Sequence, residues 1–190
     1  MDGSKTMTRP VFAVLFVMLA VLPVYAADNP DAGLPAGSGD YKLGTGDKIR
    51  IQVYNEQDLY LETRVSDNGI ISYPFLGNLK VVGRTPSQLE ELISGKLKGD
   101  YLVNPKVSVD ILEYRQFYVN GEVESPGGYP FQPGITIRKA ISVAGGFKER
   151  ASKDKIFLIR EGTNNDEPEK ASLDENVLPG DIITVEESFF

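Results

Sequence analysis

The sequence predicts an α+β protein built from two small β-rich domains, each with a short helix packed on a sheet. Three observations lead there. Short runs alternate apolar and polar residues between clusters of Gly, Asn, Asp and Pro, which is the period of half-buried strands. Two segments break that rhythm with helical spacing, one opening at Thr85 and one at Thr136. Strand-like runs lie on both sides of each helix, so strands and helix occur in two successive sets.

The first set starts at KIRIQVY, where Ile49, Ile51 and Val53 alternate with polar residues. Asp67-Asn68-Gly69 is a tight-turn signal between short strands. GIISYPFLGNLKVVG then reads as strand, turn and strand. The helix after it is well marked. Thr85 is the N-cap, Pro86 takes the first helical position and Gln88 completes a capping box. Leu89, Leu92, Ile93 and Leu97 are expected on its buried face. Alternation over Lys106–Ile111 closes the set with a strand.

The second set starts near Glu113. QFYVNGEV is a strand with Phe117 and Val119 on one face, Ser125-Pro126-Gly127-Gly128 is a turn, and YPF begins the return strand. Glu122 and Glu124 flank this hairpin. A carboxylate pair raises the question of acid/base catalysis, but such pairs usually come from separate elements across a cleft. At strand ends the charges are harmless and discourage edge pairing. The helix runs from Thr136 to Ala144 with Ile137, Ala140, Ile141 and Ala144 inward, and Gly145-Gly146 ends it in left-handed geometry. KIFLIR is a strand, residues 161–176 an acidic loop, and LPGDIITV the last strand. One echo links the two sets: Leu43-Gly-Thr-Gly-Asp and Leu178-Pro-Gly-Asp each place a Gly-Asp turn before a strand. A common turn used twice is the simpler reading than a duplication.

Composition narrows function. Among 190 residues there is no Cys and no His, so disulfides, thiolate chemistry, Cys-based zinc sites and a cysteine-linked lipid are excluded, and so are imidazole bases and ligands. No catalytic residue, cofactor or metal site is expected. The net charge of −7 argues against a nucleic-acid partner. Without Trp, a carbohydrate site would be weak and polar.

Residues 1–26 read as a signal peptide. Lys5 and Arg9 precede the apolar run Val11–Leu22, which is short of the ~20 residues a membrane span needs, and Val24 and Ala26 suit a cut after Ala26. Either Met1 or Met7 serves as the start. Residues 27–40 read as a flexible linker. The expected location is therefore exported, periplasmic, with outer-membrane association allowed and no lipid anchor.

Together the motifs resemble the outer-membrane polysaccharide export family. Residues 41–112 carry its export-domain pattern: Tyr41-x-Leu43-Gly44-x-Gly46-Asp47, Asp67-Asn68-Gly69-x-Ile71-x-x-Pro74-x-x-Gly77, Val82-Gly83-x-Thr85 and Asn104-Pro105-x-Val107-x-Val109. Residues 113–190 resemble a soluble-ligand-binding β-grasp (SLBB) domain, with Val119-x-Gly121-Glu122-Val123-x-x-Pro126-Gly127-x-Tyr129 and Ala144-Gly145-Gly146. On that resemblance Gly121-Glu122-Val123-x-x-Pro126-Gly127 is fold signature and not an active site. Thr45 stands where the family often has Pro. Long members add a second SLBB domain, an amphipathic pore helix and a lipidated Cys, so this chain resembles the short members.

The resemblance implies a ring-forming connector or conduit for capsule or exopolysaccharide, without bond chemistry. Implied partners are the polysaccharide, an inner-membrane polysaccharide co-polymerase, an outer-membrane pore component and further copies of the chain. The alternatives are a free periplasmic glycan-binding module and a carboxylate glycosidase. Charge placement suggests where contacts lie. Arg138, Lys139, Lys148, Arg150 and Lys153 sit in a basic stretch and are candidate polysaccharide or interface contacts. Asp166, Glu167 and Glu169 sit in the acidic loop and are candidate partners on a neighbouring copy. Solvated stretches that neutralise one another within one copy are the plainer reading.

Overall fold

The computed structural model describes residues 41–161 and 167–188. The expected signal peptide and linker, and Asp166, lie outside the described residues. The described residues belong to one compact unit and form an α+β fold with two hydrophobic cores, one in each of two lobes.

In the first lobe, β1 (Lys48–Val53) is the centre of a three-stranded antiparallel sheet. Its neighbours are β2 (Glu56–Arg64) and β5 (Val107–Glu113). The alternation in β1 is real burial: Ile49, Ile51 and Val53 are inside. The reversal from β1 to β2 passes through Asn55, which adopts a φ of 64°. Residues 70–80 form a separate hairpin, β3 (Ile70–Tyr73) and β4 (Gly77–Lys80). The Asp67-Asn68-Gly69 turn therefore does not join paired strands. It carries the chain from one sheet to another, with Gly69 at a φ of 74°.

Helix α1 (Pro86–Leu97) begins as its sequence dictates. The Thr85 hydroxyl accepts from the Gln88 amide, and the Gln88 side chain accepts from the Thr85 amide. Its buried face is Pro86, Leu89, Ile93 and Leu97. Leu92 is only half-buried and packs at the edge of the core. The reason is angular: Leu89, Ile93 and Leu97 repeat every four residues, and Leu92 lies off that row.

The second lobe holds a five-stranded sheet of order β7-β6-β10-β8-β9. Its strands are β6 (Phe117–Gly121), β7 (Gly127–Tyr129), β8 (Ala151–Ile159), β9 (Glu169–Lys170) and β10 (Ile182–Glu187). β6 and β10 run parallel at its centre, and every other pairing is antiparallel. A parallel pair needs a long crossover, and the chain supplies it through α2 (Ile137–Val143). α2 buries Ile137, Ala140 and Ile141 against Phe117, Val119, Ile156, Leu158 and Ile183. The segment expected as acidic loop contributes β9, a two-residue edge strand on β8.

Gly121 shows why one residue type is obligatory at the end of β6. Its φ is 84°, and an added Cβ would run into the carbonyl of Val185 on β10. Glu122 and Glu124 follow it. The Glu122 amide donates to the Val185 carbonyl, and the Glu124 amide donates to the Gly146 carbonyl. Both backbones pin the hairpin to the sheet and to the end of α2.

Candidate functional site

The two Gly-Asp turns noticed in the sequence hold the two buried acids of the described residues, Asp47 at 0% exposure and Asp181 at 1%. Both turns are built alike. Gly46 and Gly180 each adopt a φ of 89°, outside the range of most side chains. Each carboxylate then reaches back three residues to a main-chain amide, Gly44 to Asp47 at 2.7 Å and Leu178 to Asp181 at 2.8 Å. Each is also met by an arginine, Arg115 for Asp47 and Arg160 for Asp181.

Arg115 lies in the three-residue connection between β5 and β6, where the lobes meet. Its main-chain amide donates to Asp47 Oδ1 at 2.8 Å. Its guanidinium donates to the Tyr41 hydroxyl at 2.6 Å and to Glu161 Oε2 at 2.6 Å, and lies 3.4 Å from Asp47 Oδ2. The Tyr41 hydroxyl in turn donates to Asp47 Oδ2 at 2.7 Å. Glycines leave room for this cluster: a Cβ on Gly44 or on Gly180 would overlap the Arg115 guanidinium or the Glu161 carboxylate. One side chain thus binds the start of the first lobe to the end of β8 in the second.

Burial and neighbouring charge act on this cluster together. Burial, reinforced by the Asp47 charge, pushes the Tyr41 phenol far above its ordinary value. Burial works against the Arg115 charge, but Tyr41, Glu161 and Asp47 outweigh it and raise its pKa. In the second lobe, burial pushes Asp181 up to about 6, against the lowering effects of the Leu178 amide and Arg160.

Beside the clasp runs a groove of about 930 Å³ between the lobes. Tyr114, Tyr118 and Phe131 give it aromatic walls, and Gln116 and Gln132 line it with amides. Tyr114 is wedged edge-on between Tyr41, at 5.0 Å, and Phe131, at 5.3 Å. At the first-lobe side, Arg64 meets Glu113 at 2.7 Å.

The residues singled out in the sequence lie elsewhere, all in the second lobe. Arg138 and Lys139 are exposed on α2, and Arg138 pairs with Asp174 at 2.9 Å. Lys148 is half-buried in the connection to β8, and its amide donates to the Glu122 carbonyl. Arg150 is exposed and pairs with Glu187 at 3.0 Å. Lys153 is exposed on β8. Glu167 and Glu169 are exposed, the latter on β9 opposite Leu158. The arginines of the basic stretch therefore find carboxylates within the same copy. Among the described residues, Lys139, Lys148 and Lys153 form no ion pair.

The clasp itself was not singled out in the sequence beyond the echo of its turns. Nothing in the local stretch Glu113-Tyr114-Arg115-Gln116 marks an arginine that will be held by a residue at position 47 and another at 161. The signal that existed was the repeated Gly-Asp turn; its acids call for hydrogen-bonded or cationic partners only once the fold buries them.

Two family models match successive segments of the sequence. The sequence model of the polysaccharide biosynthesis/export protein family matches residues 35–112, and the SLBB domain model matches residues 116–169. The chain is a member of the polysaccharide export family. The exopolysaccharide production protein ExoF of Rhizobium meliloti (strain 1021) is 34% identical over 75% of this chain and 36% of its own length. The EPS I polysaccharide export outer membrane protein EpsA of Ralstonia nicotianae is 28% identical over 84% of this chain and 51% of its own. The polysialic acid transport protein KpsD of Escherichia coli is 27% identical over 84% of this chain and 29% of its own. The chain thus spans between 29% and 51% of the length of these relatives. Arg115 lies between the two matched segments, where the export domain passes to the SLBB domain.

Proposed function

We propose that this protein is a component of a capsule or exopolysaccharide export machine and works as a conduit or connector in the cell envelope, without making or breaking bonds. The observation that carries the reading is the presence of both export-family domains in one compact unit, joined by a buried clasp at Arg115. A relay between envelope layers has to pass force and position from one end to the other. A clasp of this kind makes the two domains move together, which suits that task. The relatives named for exopolysaccharide and capsule export support the substrate class. Two of these relatives are named as outer membrane proteins, which supports an exported location at or near the outer membrane. No described helix is long and apolar enough to cross a membrane, which leaves strand-built spans out of account.

In this reading copies assemble head to tail, and the chain contacts an inner-membrane polysaccharide co-polymerase and an outer-membrane pore component. The acidic stretch with Asp166, Glu167 and Glu169 meets the basic stretch with Lys139, Lys148 and Lys153 of the next copy. The arginines are already engaged within one copy, so the lysines carry the contact. Deleting the gene and measuring polymer at the cell surface tests the export role; unchanged surface polymer refutes it. Sizing the protein at low salt tests assembly. Reversing Asp166, Glu167 and Glu169 to Lys should shift it toward monomer, and reversing Lys139, Lys148 and Lys153 to Glu in the same chain should restore the oligomer. An unchanged distribution after the acidic reversal refutes that interface.

A further inference from the structure

We propose that the groove between the lobes is a subsite for a neutral hexopyranose chain, contacted in passing by Tyr114, Tyr118, Phe131, Gln116 and Gln132. The inference rests on the export reading and names the part of the surface that touches the polymer. Four features of the groove carry it.

The first is shape and size. At about 930 Å³ the groove lies in the upper part of the roughly 300–1,000 Å³ that small-molecule sites occupy. The second is the wall chemistry. A pyranose ring presents an apolar C–H face and a hydroxyl rim. Aromatic rings cover the first, and side-chain amides both donate to and accept from the second. Tyr118 is 45% exposed on β6, so its ring is presented to solvent and is not consumed by the core.

The third is charge. Every ionic group facing the groove has its partner: Arg64 is held by Glu113 at 2.7 Å, and Arg115 by Glu161 at 2.6 Å. An anionic ligand would have to break those pairs, whereas uncharged hydroxyls can bond to their rims. This separates the groove from the lysines on and around α2, which suit an acidic partner. The fourth is rigidity. Tyr114 is fixed between Tyr41 and Phe131, and the clasp fixes the two sides of the groove to each other. Little ordering is left for a ligand to impose. The absence of Trp keeps binding weak, and weak binding lets a polymer move on.

Titrating the isotopically labelled full chain with cellopentaose and with mannopentaose, followed by amide NMR shifts, tests this. The expected result is millimolar binding to at least one of them, with shifts centred on Tyr114, Tyr118 and Gln132. Tyr118→Ala should weaken binding roughly two- to ten-fold, as loss of one aromatic contact would. Gln132→Ala should weaken it further when combined. Both side chains are exposed, so an unchanged melting curve separates lost binding from lost fold. Absence of groove shifts with both neutral probes overturns the proposal. So do equal shifts in the variants, or shifts seen only at Lys139, Lys148 and Lys153 with an oligogalacturonate. The export reading fails separately, when deletion leaves surface polymer unchanged. Lost export on deletion together with an unresponsive groove refutes the groove assignment alone.

Discussion

Asp47 and Asp181 end the same kind of turn and are buried alike, yet their surroundings differ. Asp47 receives the Gly44 amide, the Arg115 amide, the Tyr41 hydroxyl and the edge of the Arg115 guanidinium. These partners come from both ends of the first lobe and from the connection to the second. Asp181 receives the Leu178 amide and Arg160, both from its own lobe and both on Oδ2. Arg160 is also shared with Glu175 at 2.8 Å. The first turn is therefore a joint between lobes and the second is a local brace. What separates them is how many donors tertiary packing delivers to one carboxylate, since a buried charge is tolerated only as far as it is paired and hydrogen-bonded.

Removing the arginine from the joint should have the largest effect. Arg115→Ala leaves Asp47 buried with its ionic partner gone and is expected to cost about 3–5 kcal/mol. Thermal melts would measure it, and limited proteolysis should show new cutting near residues 113–116. A cost below that of an exposed salt bridge would mean the joint does not hold the lobes.

A yardstick confined to one lobe sharpens this. Ile93→Ala removes a fully buried side chain from the first core and should cost about 2–5 kcal/mol. Leu92→Ala, at the edge of the same helix face, should cost clearly less. Melts that rank the two in the opposite order would break the assignment of the buried row.

The brace should reveal itself through pH. The folded pKa of Asp181 is raised from 3.8 to about 6, so the folded state holds this proton more tightly than the unfolded chain. Its contribution to stability is therefore greatest below about pH 4 and declines as pH rises to about 6. Asp181→Asn removes that slope. Relative to the natural protein, the variant's melting temperature should climb between about pH 4 and pH 6 and then level off. A difference that stays constant across that window, or falls, would show that Asp181 does not titrate there.

The smallest effect is expected at the outer partner of the joint. Glu161 is 43% exposed on its side chain, and Glu161→Gln should cost only ~0–1 kcal/mol. A loss comparable to Arg115→Ala would move the strength of the joint from Asp47 to Glu161.

How much of this was legible before folding depends on the distance over which each feature is decided. The capping box of α1, the end of α2 at Gly145-Gly146 and the alternation in β1 and β6 are settled within a few residues by backbone hydrogen bonds and side-chain period. The motif set placed the chain in its family for the same reason. Three features were read less well. Leu92 was expected in the core and lies at its edge, because helical spacing alone does not say where the sheet beneath the helix stops. The acidic loop holds β9, whose pairing is fixed by β8 and not by its own two residues. The Asp67-Asn68-Gly69 turn joins two sheets instead of two paired strands, since a turn sequence fixes the bend and not the partner.

The sequence by itself determined the α+β class, the helices and their caps, the Gly-Asp turns and the absence of Cys and His chemistry. Each of these depends on local backbone geometry or on residue type. Only the tertiary structure decided that Arg115 would meet Tyr41, Asp47 and Glu161, that the arginines of the basic stretch would be matched within one copy, and that Tyr114, Tyr118 and Phe131 would wall one groove. Those outcomes join residues as many as 74 positions apart, and long-range contacts of that kind follow from how sheets and helices pack, which no local pattern encodes.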